Sequence, residues 1–229
     1  VYIPQHFVED RVEALTDFVR ANPFCTLVTH GPDGLFASHI PLLLDSGAGP
    51  KGLLRGHLAK ANPQWRTFAQ DADVLAIFNG PHHYISPSWY PSKAEHGKVV
   101  PTWNYVAVHA YGQMRIVEDR ERLLEHLRKL TDSQEVNNPE RWHVDDAPAE
   151  YIDGLTKAIV GVEIEIGRME GKWKVSQNRP AADREAVTDR LRNLGGDDAV
   201  AMAALIENPR AAVDSVAHLR ENGFTTERE

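Results

Sequence analysis

Apolar residues along this chain change their spacing several times, and each change predicts an element. Val8, Val12, Leu15, Phe18 and Val19 recur at helical spacing, so 8–21 is expected to be an amphipathic helix stopped at Asn22-Pro23. CTLVTH (25–30) and LFASHIPLLL (35–44) are β-prone runs on either side of a Pro-Asp-Gly turn, the pattern of a β-hairpin. LLRGHL (53–58) and VLAIFN (74–79) predict two further strands, and between them Asn62-Pro63 supplies an N-cap and a first-turn proline for a short helix. A long strand is expected up to Val117, with Gly112 marking a bulge or a close approach. EDRERLLEHLRKL (118–130) puts Leu123, Leu124, Leu127 and Leu130 on one helical face. Period two returns over 160–169, and Gly171 is read as a turn into a last strand at 172–177. From Arg179 the pattern is helical, in three stretches that reach Asn222.

Strands that follow one another without βαβ alternation argue for an antiparallel barrel with peripheral helices. The expected fold is therefore mainly β with peripheral α-helices. The expected division is a barrel domain over 1–178 and a C-terminal helical extension over 179–229, packed on the barrel or on a partner.

One segment does not fit the alternation. YISPSWYPSKAEHGKVVPTWNY, Tyr84 to Tyr105, is punctuated by Pro87, Pro91 and Pro101, which fix φ and remove backbone donors. It is expected to be a long ordered loop, set within a wider irregular stretch over 80–103, and such loops inside a domain are usually functional or disordered. Its aromatic content argues against disorder. Its rings, hydroxyls and ammonium groups suit a small planar, phosphorylated ligand such as FMN, and equally an aromatic lid over a core edge.

Composition and charge narrow the function classes. The chain has 229 residues, 42% of them hydrophobic and 25% charged, ordinary for a globular protein. No apolar run is long enough to span a bilayer, and the N-terminus lacks a basic region followed by an apolar stretch. With a single cysteine there is no internal disulfide, and a cytoplasmic location is the expectation. The net charge of −8 argues against direct DNA binding, which rests largely on Lys and Arg meeting phosphates. The Ala-rich C-terminal helices around Asn208-Pro209 read as packing or dimer cover rather than as a DNA-reading helix pair.

Glycine-rich nucleotide loops are absent, so a phosphorylated cofactor would have to be held by side chains. GHLAKANPQW (56–65) leaves a strand, places Lys60 at a turn and enters a helix, a pattern that suits a phosphate and equally a capped helix beside a solvated lysine. SQNR (176–179) is read first as a cap for the next helix. The eleven histidines match no metal-ligand spacing, and His82-His83 would point to opposite faces of an extended segment. No nucleophile–base or paired-carboxylate pattern stands out.

Taken in order, YIPQHF, VTHGPDG, SHIPLLL, GHLAKANPQW, IFNGPHHYISPSWY, VPTWNY, IVGVEIEI and GKWKVSQNR resemble the PaiB-like family of FMN-binding negative transcriptional regulators, from Tyr2 to about Leu191. The resemblance implies an FMN-binding split β-barrel and a homodimer with FMN near the subunit interface. It also implies a role, known for one member, in repressing protease and sporulation genes. By position it places Ser38, His39, Ile40 and Pro41 along the flavin ring, and His57, Lys60 and Asn62 at the phosphate. It makes Thr102, Trp103, Asn104 and Tyr105 candidates where a strand begins, and Gln177, Asn178 and Arg179 candidates reaching from the last strand. Flavins carry redox chemistry themselves, so oxidoreductase activity needs no catalytic triad. Two alternatives stand beside it. One is a ligand-responsive regulator acting through a partner. The other is a haem-binding split barrel, with His39, His57 or His109 as axial ligand.

Overall fold

A computed structural model describes residues 1–209. The strands are β1 (Val8–Glu9), β2 (Phe24–Gly31), β3 (Gly34–Pro41), β4 (Leu43–Asp45), β5 (Leu53–Ala59), β6 (Val74–Ile85), β7 (Thr102–Val117) and β8 (Ile159–Lys174). They form one eight-stranded sheet in the order β3-β2-β6-β7-β8-β5-β4, with β1 added on β8. The helices are α1 (Val12–Ala21), α2 (Gln64–Thr67), α3 (Ser92–His96), α4 (Arg120–Gln134), α5 (Ala149–Thr156), α6 (Ala181–Leu194) and α7 (Asp197–Glu207). This is the antiparallel split-barrel architecture with C-terminal helices; the further helical stretch expected over 209–222 lies outside the described residues, Pro209 aside.

The chain divides into two compact units, interleaved in sequence. One unit takes 1–22, 78–109 and the described residues from Glu170 onward. Its core holds Phe18, Phe78, Ile85, Val106, Trp173, Val187, Leu191 and Met202, with α6 and α7 packed on each other. The other takes 23–77 and 110–169, around Leu27, Leu42, Leu54, Leu58, Ile164 and Ile166.

The hairpin forms as its turn residues dictate. Gly31 faces Gly34 across Pro32-Asp33, with Gly34 at φ 99°, and the register carries Leu27 to Ser38 and Thr26 to His39. Gly112 is a close approach: a Cβ there would stand 1.9 Å from the carbonyl oxygen of Glu165.

Three expectations are corrected. The first helix starts at Val12 rather than Val8, because Val8 and Glu9 extend and pair with Lys172 and Gly171. Gly171 is no turn. It lies inside an unbroken β8, where a Cβ would meet Leu15 Cδ2 at 2.4 Å and Glu9 O at 2.7 Å, and the strand stops at Lys174 rather than residue 177. The long loop is shorter and more structured than its prolines suggested. β6 continues through Pro81 to Ile85, a 3-10 turn (Pro87–Trp89) and α3 follow, and β7 begins at Thr102. α5 was not among the expected elements; Pro148 stands immediately before its first residue.

Candidate functional site

In the unit that contains the hairpin, the candidates meet around one side-chain bond. Asn62 Nδ2 donates to Ser38 Oγ at 2.8 Å, and Asn62 Oδ1 accepts from Gln64 N at 3.0 Å. Asn62 therefore accepts from the first residue of α2, although the N-cap position itself is Pro63 rather than Asn62 as the sequence predicts, and also ties that turn to β3. Gln64 makes the tie rigid: it is fully buried, and its Nε2 donates to Leu27 O, Thr29 Oγ1 and Phe36 O at 3.1 to 3.3 Å. Lys60 stands at the head of the turn. Its N–H donates to Ala158 O, its carbonyl accepts from Trp65 Nε1, and its ammonium makes no ion pair among the described residues.

On β3, His39 is exposed. It shares a 3.1 Å hydrogen bond with Thr26 Oγ1 through Nδ1 and stacks with Phe24 at 6.3 Å between centroids. Ile40 turns inward, while Ser38 and Pro41 are half-buried. His57 points elsewhere. Its Nδ1 lies 3.2 Å from His126 Nε2, and burial lowers its pKa. The sequence-based grouping of His57 with Lys60 and Asn62 thus covers two local environments.

The remaining candidates gather in the other unit. Lys174 Nζ donates to Thr102 Oγ1 at 2.6 Å and to Trp103 O at 2.9 Å. Asn104, almost fully buried, donates from Nδ2 to Ser176 Oγ at 2.9 Å. Ser176 has φ 64°, a left-handed backbone held by this bond and by Arg179 N donating to Ser176 O. Gln177 folds back on its own strand through Val175 N and Trp173 O, Asn178 is exposed, and the Arg179 guanidinium lies 4.7 Å over Tyr90. The Trp103 indole is half exposed, donates to His82 Nδ1 at 3.2 Å and meets Tyr84 edge-on. Tyr105 lies 5.1 Å from the Lys172 ammonium. Lys172, Lys174 and Arg179 make no ion pair among the described residues, and the Lys174 pKa is lowered by burial first and then by its two cationic neighbours. Lys172 and Lys174 belong to KWKVSQNR, the strongest local basic excess in the sequence and enough for one phosphate group, and the KWK spacing places both on one face of the strand.

The donors present suit a phosphorylated planar group: a lysine with no ion pair among the described residues on the turn that carries the fixed Asn62 amide, the Ser38 hydroxyl tied to it, and exposed rings on β2 and β3. A family described as "Putative FMN-binding domain" matches residues 1–168. This chain belongs to that family. It is 38% identical to the protease synthase and sporulation protein PAI 2 of Bacillus subtilis over 213 residues, covering 91% of this chain and 97% of the relative. The fold is also that of the flavocytochrome Anf3 from Azotobacter vinelandii, with TM-score 0.55, 13% identity and coverage of 75% of this chain and 72% of that one. A conserved hypothetical protein of Mycobacterium tuberculosis, Rv2991, aligns with TM-score 0.53 and 16% identity over 79% of this chain and 94% of its own. The PaiB-like resemblance and the split-barrel fold expected from the sequence therefore both hold.

Proposed function

We propose that this protein binds FMN as a homodimer, with Lys60 holding the phosphate and the Ser38–Pro41 strand lying along the flavin ring. The observation that carries the reading is Lys60 itself, whose ammonium makes no ion pair among the described residues and which precedes by two residues Asn62, the amide tied to the Ser38 hydroxyl. Phosphate dianions favour such a charge next to oriented donors. His39 is held through Nδ1 by Thr26, which leaves Nε2 to bond a polar edge of the ring. FMN, when bound, supplies hydride and electron transfer, while the protein binds and orients it. The reading extends to flavin-dependent oxidoreduction in the cytoplasm.

The homodimer is supported by β3. It ends the sheet order, and Leu35, Phe36 and Ala37 are successive exposed residues, so both faces of an edge strand present apolar surface. Edge strands of this kind are normally covered.

Titration with FMN and riboflavin tests the reading. Lys60→Ala should weaken FMN by roughly ten- to a hundredfold, the value of one charge-assisted contact, and riboflavin much less. Equal loss of both ligands would overturn the assignment. So would loss of FMN in Lys174→Ala with none in Lys60→Ala, since Lys172, Lys174 and Arg179 form the rival cationic cluster.

A regulatory role is a second reading, favoured by the 38% likeness to a protein named for protease synthesis and sporulation. At net charge −8 it would act through a protein partner, with DNA affinity no tighter than the non-specific range, on the order of 10⁻⁶ M. Nanomolar, sequence-selective DNA binding by the purified protein would refute that route.

A further inference from the structure

A cavity of about 420 Å³ lies within the unit that contains β5, α4 and α5. Leu127, Trp142, Val144, Ile152, Leu155 and Ile159 form most of its wall, and among the described residues no Asp, Glu, Lys or Arg lines it. Two of these apolar side chains keep much of their surface in solvent: Trp142 is 44% exposed and Leu155 49%. The Thr156 hydroxyl on the wall is already donated to Asp153 O.

The group that sets this wall apart is His57. Its Nδ1 lies 3.2 Å from His126 Nε2, and His126 stands behind it, off the cavity wall. The other nitrogen, His57 Nε2, bonds to nothing among the described residues, and unlike the buried His126 Nδ1 it keeps contact with solvent. The two nitrogens of an imidazole diverge, so Nε2 faces away from His126.

The histidine pair fixes what that nitrogen offers. Burial holds the His57 pKa below its ordinary 6.5. Burial, then His57 and Arg55, hold His126 at about 4, so both rings are neutral at pH 7. Each neutral ring carries one N–H. A buried N–H without an acceptor is the rarer and costlier orphan, and His126 Nδ1 is buried without a partner. The His126 proton therefore sits on Nε2 and is donated to His57 Nδ1, which leaves the His57 proton on Nε2. The wall thus presents an oriented, uncharged donor among apolar side chains, with no charge to meet an ion.

We propose that this cavity binds an uncharged, mainly apolar ring compound bearing a carbonyl group. The carbonyl oxygen accepts from His57 Nε2–H, and the ring system packs on the Trp142 indole and the leucine and isoleucine side chains. A carboxylate on the same body is disfavoured, because no cation lines the wall to replace the water it would lose.

An NMR titration of the ¹⁵N-labelled protein with 2-acetylnaphthalene at pH 7 tests this, with 2-naphthoate and 2-ethylnaphthalene as the anionic and acceptor-free analogues. The ketone should saturate one site, move the His57 ring nitrogens and the Trp142 indole N–H, and bind at least tenfold more tightly than 2-naphthoate. His57→Phe should weaken the ketone about fivefold, the value of one neutral hydrogen bond, and leave 2-ethylnaphthalene no weaker. Trp142→Ala, at an exposed loop residue, should weaken both. 2-Naphthoate binding as tightly as the ketone, equal loss of ketone and hydrocarbon in His57→Phe, or no saturable shift of the His57 and Trp142 resonances would each overturn the proposal. The parent protein's resonances and the 2-naphthoate comparison decide the matter even if His57→Phe fails to fold. No probe carries a phosphate or a flavin, so the outcome is separate from that of the Lys60 titration.

Discussion

Asp183 grips Ser92 twice inside the unit they share: Oδ2 accepts from Ser92 Oγ at 2.7 Å, and Oδ1 from Ser92 N at 3.1 Å. Both residues are buried, so the first turn of α6 is fastened to the first turn of α3. Ser92→Ala leaves one oxygen of a buried carboxylate without its donor. The expected loss is about 1–3 kcal/mol. Urea unfolding should show the lower midpoint, and an unchanged midpoint would mean that water replaces the hydroxyl freely.

Gly112→Ala should be more damaging than an ordinary surface change. The obstacle is the backbone oxygen of Glu165, which cannot rotate away as a side chain would. Overpacking of this kind costs about 1–3 kcal/mol or more. A melting temperature equal to that of the parent would show that β7 and β8 part there without strain.

The paired histidines give stability a pH dependence. Burial first, then His57 and Arg55, hold the His126 pKa down to about 4, against an ordinary value of 6.5. The unfolded chain therefore binds a proton at this site in a range where the folded chain does not. Stability should be full above pH 6.5 and fall as the pH drops towards 4, by up to about 3 kcal/mol from this residue. His126→Phe should flatten that part of the profile. A profile equally steep in the variant would place the effect elsewhere.

Cys25 is buried, and burial pushes its thiol up to about 12. A thiol reagent at pH 8 should label the native protein far more slowly than the unfolded chain, because the thiolate is the reactive form. Prompt labelling would mean that β2 opens readily.

The dimer reading predicts twice the monomer mass in sedimentation at micromolar concentration. Leu35→Asp with Phe36→Asp should shift the equilibrium towards monomer, since charge on an exposed edge opposes pairing. A parent protein already monomeric there would refute the edge-strand argument.

Features that rest on neighbours in sequence were legible: the Pro32-Asp33 turn, the α2 start at Asn62-Pro63 and the leucine face of α4. Gly112 was also readable, as a glycine inside an otherwise strong strand. Gly171 was not, because a glycine for a turn and a glycine for close approach look alike until the contacting chain is known, here Leu15 and Glu9. The stretch from residue 80 read as irregular in the sequence, yet β6 runs through Pro81 to Ile85. At the candidate site, Ser38 and Asn62 were named separately, but their bond joins residues 24 apart, and His57–His126 spans 69. Such pairings depend on how strands are brought together, which local periodicity does not encode.

The pairing of β1 with β8 carries a consequence for the order of synthesis. Val8 leaves the ribosome long before its partner Lys172, with β2 to β7 synthesised between them. β5 waits in the same way for the stretch from Ile159. Since β8 contributes to both units, neither can finish folding on a nascent chain that has not yet reached it. The growing polypeptide must keep apolar strands apart through much of translation, a period in which slow elongation or a holding chaperone would decide the yield of native protein.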